Sequence, residues 1–212
     1  LTLSEIEALA LTRLGDNGTY YPGVVDAINE GQRLFCLISL CLETSETFNL
    51  KAAQALYNVL PTMPDFVLAR RVYLGGTQLR PASLAQLQAL DPNWQSTLGN
   101  PARYAICGLD FLAVYPQSLN ATQLTIVHVC PPVTLVNTTD VPQIRAASHW
   151  ALASYAAWAV RQVEGGGEFA KFQKYFDEFM AEAQVVADIV RKRTRDSGLE
   201  VTMPFELTRT KR

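Results

Sequence analysis

The side chains with chemistry to offer are few. His128 and His149 are the two histidines, and they fall on different predicted elements with no HExxH and no paired-cysteine spacing. The three protein ligands of a catalytic zinc are therefore not gathered by the sequence. His149, flanked by Trp150 and one turn after Arg145, reads as a hydrogen-bonded helix residue rather than a general base, and Ser148 beside it carries no nucleophile signature. Asp177, Glu178 and Glu182 would suit acid–base catalysis only in a cleft that raises one pKa. Their spacing places them on the exposed side of a long helix, where they solvate that face and pair with Lys174. A phosphate loop needs Gly-Lys, so that amides approach the phosphate while lysine meets its charge; no Gly-Lys occurs, and Gly165 to Gly167 is expected to be a helix-to-helix turn. Trp94, Tyr104 and Tyr115 lack the interleaved basic residues of a nucleic-acid stacking platform. Cys36, Cys41, Cys107 and Cys130 form no CxxC, and a five-residue helical separation would turn Cys36 and Cys41 about 140° apart, so buried free thiols are expected. No catalytic, cofactor-binding or metal site is assigned.

The elements that must position these residues follow from periodicity. Ser4 with Glu7 makes a capping-box pattern ahead of Ile6, Leu9, Ala10 and Leu14, and Gly15 stops the run. A second helix is predicted over about 22–43, apolar on nearly every side around Leu34 to Leu42 and so buried against more than one neighbour. Residues 44–135 hold 8 of the 11 prolines and short strand-like runs at Asp65 to Leu74, Tyr104 to Cys107, Asp110 to Tyr115 and Gln123 to Val129. Leu124, Ile126, His128 and Cys130 would share one face of the last strand. Ser83 begins two helical turns with Leu84, Leu87 and Leu90 on one side, ended by Asp91-Pro92.

Asp140 is predicted to cap a third helix with Pro142 in its first turn and Ile144, Ala147, Ala151, Ser154 and Trp158 as the inward seam. Phe169, Phe172, Phe176, Phe179, Ala183, Val186 and Val190 repeat by three and four, a packing face for a fourth helix antiparallel to it. From Thr194 onward, Val201, Met203, Phe205 and Leu207 alternate among polar residues. Such a segment either dangles or lies extended in a groove on another subunit.

The 212 residues are 49% apolar, with 18 Lys+Arg against 20 Asp+Glu and a formal net charge of −2. Disorder is excluded, since a chain of this size buries about 70% of its unfolded surface, with two lobes as the upper limit. No apolar run approaches the roughly 20 residues that span a bilayer. Ser4, Glu5 and Glu7 stand where a secretory signal would place basic and apolar stretches, so an intracellular protein is expected and the sequons at Asn17, Asn120 and Asn137 read as ordinary turns. Residues 1–190 hold 11 basic and 17 acidic side chains, a net of −6, and residues 191–212 hold seven and three, a net of +4. The basic end suits nucleic acid, an acidic protein partner, or a merely solvated tail.

The order of features carries more than any motif. Tyr20-Tyr21-Pro22 enters Ala27-Ile28-Asn29-Glu30-Gly31-Gln32-Arg33. Gly99-Asn100-Pro101-Ala102-Arg103-Tyr104-Ala105-Ile106, Leu112-Ala113-Val114-Tyr115-Pro116, Pro131-Pro132 and the Ala146 to Ala159 helix with Tyr155-Ala156-Ala157 follow. Over residues 3–190 this order resembles the head-to-tail connector (neck adaptor) proteins of tailed bacteriophages. The resemblance implies an α+β fold: an antiparallel helical bundle built from N- and C-terminal helix pairs (1–43 and 136–194), an inserted β-rich lobe (44–135) and an extended basic C-terminal tail (195–212). It also implies a structural, non-enzymatic role with no cofactor. The subunits would form a homo-oligomeric ring of twelve copies below the portal protein, contact further neck or tail proteins, and let DNA pass without sequence-specific binding. The location would be the virion neck, with host cytoplasm during assembly and no membrane. Phe205, Leu207, Arg209, Lys211 and Arg212 are then the expected portal contacts. Two other readings stay open: a monomeric intracellular protein-binding module without catalysis, and a hydrolase whose site around His149 or Asp140 is assembled from distant residues.

Overall fold

A computed structural model of the protein describes residues 1–15, 23–164 and 169–196. The first helix, α1 (Leu3–Leu14), starts at Thr2, whose hydroxyl accepts from the Glu5 amide while the Glu5 carboxylate accepts from the Thr2 amide. The cap lies two residues before the expected Ser4/Glu7 box because Leu3 is itself a core residue. Gly15 ends the helix in the left-handed conformation, as its position predicts. The second helix, α2 (Val24–Ser39), is shorter than the predicted 22–43. Leu40 turns left-handed at φ 52°, an uncommon conformation for a residue with a side chain, and the chain leaves the helix there.

Ten strands follow: β1 (Glu43–Leu50), β2 (Leu56–Asn58), β3 (Leu68–Leu74), β4 (Thr77–Gln78), β5 (Arg80–Pro81), β6 (Leu98–Gly99), β7 (Arg103–Cys107), β8 (Phe111–Tyr115), β9 (Gln117–Ser118) and β10 (Thr122–Val129). A short helix, α3 (Leu84–Leu90), interrupts them, and α4 (His149–Glu164) and α5 (Phe169–Asp196) close the chain. The fold is thus mixed α+β. It divides into two compact units, one of residues 1–44 with 129–190, the other built on residues 45–128.

In the helical unit α4 is central: every residue from Ala151 to Ala157 is buried. Its contacts with α5 run Ser148 to Glu182, Ser154 to Glu178, Tyr155 to Phe179 and Trp158 to Phe176, so one number rises as the other falls and the two helices are antiparallel. The phenylalanine stripe is this packing face. Phe172, Phe179, Ala183 and Val186 are buried, Phe176 and Val190 half-buried, and Phe179 meets Phe35 edge-on at 5.9 Å. Burying each such ring stabilises the unit by about 1.5–3 kcal/mol. Two expectations fail at the start of this pair. Asp140 does not cap a helix, because its carboxylate accepts from the amides of Val136 and Asn137, residues that precede it. The chain stays irregular until a 3-10 turn at Ala146–Ser148, which leaves Ala147 exposed rather than on the inward seam.

The β-rich unit holds two four-stranded sheets, ordered β1-β10-β3-β4 and β2-β8-β7-β5, and the pair β6-β9. β7 and β8 form an antiparallel hairpin around Ala105 and Ala113, while β5 joins β7 in parallel with Arg80 beside Arg103. Leu124, Ile126 and His128 are buried on one face of β10, as alternation predicts, and Cys130 beyond it is half-buried. Ser83 caps α3 through a reciprocal box with Gln86. Of the three leucines expected on its inner side, Leu87 is buried, while Leu84 and Leu90 are exposed. The surface beneath is small, made of Ala55, Ala105 and Ala113, and Trp94 fills the rest.

Candidate functional site

The titratable residues singled out above hold the fold together. His149 is buried, with Nε2 donating distance 3.0 Å from the Ile144 carbonyl and Nδ1 3.1 Å from the Leu1 carbonyl, so it ties the first residues to the entry of α4. His128 is also buried, 3.5 Å from Glu46 and stacked on Phe66 at 5.4 Å. The two histidines lie in different units, 45–128 and 129–190. Ser148 donates to Glu182 at 2.7 Å, and Ser154 donates to Glu178 at 3.2 Å. The expectation that Asp177, Glu178 and Glu182 merely solvate an outer face is therefore corrected. Glu178 pairs with Arg13 at 3.6 Å rather than with Lys174, whose ammonium lies over the Tyr175 ring, and Asp177 alone keeps a purely local partner, Gln173. Among the described residues no group of three or more His, Cys, Asp or Glu side chains is placed to hold a metal ion, and no helix is long and apolar enough to cross a membrane. Trp94 and Tyr104 are core residues rather than stacking surfaces.

Two clasps were not anticipated. Arg13, in the last turn of α1, hydrogen-bonds Ser154, pairs with Glu178 and lies under the rings of Trp150 and Tyr175 at 5.9 and 5.3 Å, joining three helices through one guanidinium. Arg161 donates to the Leu14 carbonyl at 3.0 Å and stacks on Phe172, placing a cation at the negative end of α1. The second clasp holds the segment that returns to the bundle. Asn29 donates to the Leu135 carbonyl at 3.0 Å and accepts from its amide at 2.8 Å, and Gln32 donates to the Val133 carbonyl and accepts from the Gln143 amide. Asp140, its carboxyl held below the usual range by the amides of Val136 and Asn137, completes the turn whose carbonyls receive the first amides of α1.

A structure whose polar residues are spent on clasps suits a part that bears load, and comparison with known families decides between parts. A model of the SU10 adaptor protein family matches residues 1–202. The chain belongs to this family. No curated protein sequence matches it. Family membership makes the protein a structural adaptor of a phage particle.

The adaptor uses the residues that carried the resemblance in mechanical ways. Within Ala27 to Arg33, Ile28 is core, Asn29 and Gln32 grip the returning segment, and Gly31 lies against Tyr155 so closely that a Cβ there would meet its ring at 2.8 Å. The Tyr155 hydroxyl donates to Glu30; burial first, then the Glu30 charge, pushes its pKa up to about 12. The adaptor's expected portal contacts, Phe205, Leu207, Arg209, Lys211 and Arg212, lie outside the described residues, as do Asn17, Tyr20-Tyr21-Pro22 and Gly165 to Gly167. The described chain ends in basic residues of α5, Arg191, Lys192, Arg193 and Arg195.

Proposed function

We propose that the adaptor forms a ring of twelve copies below the portal, joins the capsid to the tail and lines the channel through which DNA passes. The observation that carries this reading is the family match across residues 1–202. Physical features support it. A ring is built from heterologous contacts, which need two different complementary patches on each subunit. The helical unit exposes Val185 and Ile189 one turn apart on α5, and the β-rich unit exposes Leu109 and Phe111 at the tip of the β7–β8 hairpin. Residues 1–190 carry a net −6, and a lining of that sign repels DNA phosphates, so the genome slides without being held.

The basic residues 195–212 supply the docking element: an extended strand with Phe205 and Leu207 as anchors and Arg209, Lys211 and Arg212 for acidic portal groups. The same chain assembles in host cytoplasm and ends in the virion neck, touching further neck or tail proteins on the side away from the portal. Deleting residues 199–212 is the test. Loss of portal attachment with unchanged helicity is the expected result; unchanged attachment would sink the tail assignment.

A further inference from the structure

Three of the four cysteines belong to the helical unit, Cys36, Cys41 and Cys130, while Cys107 lies in the β-rich unit. Their placement follows from the end of α2. The Leu40 amide still bonds the Cys36 carbonyl at 2.8 Å, and the left-handed turn at Leu40 then sends the chain back. A left-handed residue at a helix end brings the next residue over the one five positions earlier. Here those two residues are Cys41 and Cys36, and their thiols hydrogen-bond. The angular separation of about 140° expected from a continuing helix does not apply, because the helix stops between them. Cys130 comes alongside, its amide donating to the Leu42 carbonyl at 3.2 Å. The surroundings differ: Cys36 is buried, while Cys41 is half exposed.

We propose that Cys36 and Cys41 form a dithiol oxidised by hydroperoxides, with Cys41 as the attacking sulfur and Cys36 as the resolving one, and that the product is a Cys36–Cys41 disulfide fastening the end of α2. An accessible thiolate beside a buried partner thiol is the arrangement this chemistry requires. The hydrogen bond with Cys41, followed by burial, raises the Cys36 pKa and keeps its proton, whereas the hydrogen bond from Cys36 lowers Cys41 to about 6 against its own partial burial.

The steps balance with hydrogen peroxide as the oxidant. The Cys41 thiolate attacks one peroxide oxygen; the S–O bond forms, the O–O bond breaks, and the departing hydroxide takes a proton to become water. The Cys36 sulfur, giving its proton to solvent, then attacks the sulfenic sulfur of Cys41; the S–S bond forms, the S–O bond breaks, and a second water leaves. Two thiols lose two electrons and two protons, and one peroxide becomes two waters.

The test uses the full chain. Trypsin releases residues 34–51 as one peptide holding Cys36 and Cys41 and no other cysteine. After hydrogen peroxide treatment, alkylation and digestion, that peptide is expected by mass spectrometry to have lost two hydrogens and to resist alkylation, while Cys107 and Cys130 are alkylated. In the untreated protein, a short iodoacetamide pulse at pH 7 should label Cys41 at least about fourfold faster than Cys107, since its thiolate fraction is about a hundredfold larger and its nucleophilicity about twentyfold lower. Cys36→Ser should leave Cys41 as a sulfenic acid that dimedone captures, and Cys41→Ser should leave Cys36 unoxidised. A disulfide to Cys130, a wild-type Cys41 that stops at sulfenic acid, or oxidation of Cys36 without Cys41 would overturn the proposal. The wild-type peptide map decides the matter even if a variant fails to fold.

Discussion

Replacing Gly31 by alanine should destabilise the adaptor even though alanine is the better helix former. A Cβ at residue 31 would lie 2.8 Å from Tyr155 Cδ1, 3.1 Å from Cγ and 3.3 Å from Cβ, against an ordinary carbon contact of about 3.5–4.0 Å. The obstacle is the root of the ring rather than the far end of a mobile side chain. Retreat is blocked, because Tyr155 is buried with Phe179 at 4.9 Å, Trp158 at 5.6 Å and its hydroxyl on Glu30. Overpacking of this kind costs about 1–3 kcal/mol, and removing a helical glycine returns up to about 1 kcal/mol. A ring fixed on three sides puts the cost near the upper end, leaving a net loss of about 1–2 kcal/mol, or roughly 2–8 °C in Tm for a chain of this length. Thermal unfolding followed by circular dichroism reads it directly. In a Tyr155→Ala background the obstacle is gone, so Gly31→Ala should there raise Tm. An unchanged or higher Tm for Gly31→Ala alone, or equal loss in both backgrounds, would refute the steric argument.

Three further outcomes follow from the same contacts. Phe179→Ala, which empties the fully buried seat between Phe35 and Tyr155, should cost about 3–5 kcal/mol in urea denaturation. Arg13→Met keeps an apolar stem but removes the guanidinium shared by Ser154, Glu178, Trp150 and Tyr175; the loss should be about 1–2 kcal/mol, limited because Glu178 can turn to water. Asp140 has its folded pKa depressed below the unfolded value by the amides of Val136 and Asn137. Its contribution is therefore complete above the unfolded pKa of about 3.9 and is lost as pH falls through the lower folded value. Asp140→Asn should lower Tm at neutral pH and flatten the acid limb of the Tm–pH curve below about pH 4; an unchanged acid limb would count against the turn's role.

The parts of the fold legible in the sequence were those fixed by local periodicity. The phenylalanine repeat predicted α5, alternation predicted the buried face of β10, and Ser83 with Asp91 bounded α3. What escaped depends on long-range partners. Asp140 fits an N-cap locally, yet its carboxylate serves amides that precede it, because the turn is shaped by Asn29, Gln32 and the start of α1. Leu40 carries no signal for a left-handed turn, so α2 was drawn through Cys41 and the thiol contact was missed. Glu178 matched an i, i+4 pair with Lys174, but Arg13, distant in sequence, offered aromatic faces and a serine as well. Nothing in the spacing of Arg13 reveals that it joins three helices.

The central claim, that this adaptor builds a ring on a portal, is tested most directly by the mass of the purified protein with and without its cognate portal, measured by light scattering and followed by negative-stain imaging. The account predicts a stable complex in which a ring of twelve adaptor subunits caps one end of the portal. A protein that stays monomeric and ignores the portal at every concentration tried would contradict it and favour a helical protein-binding module.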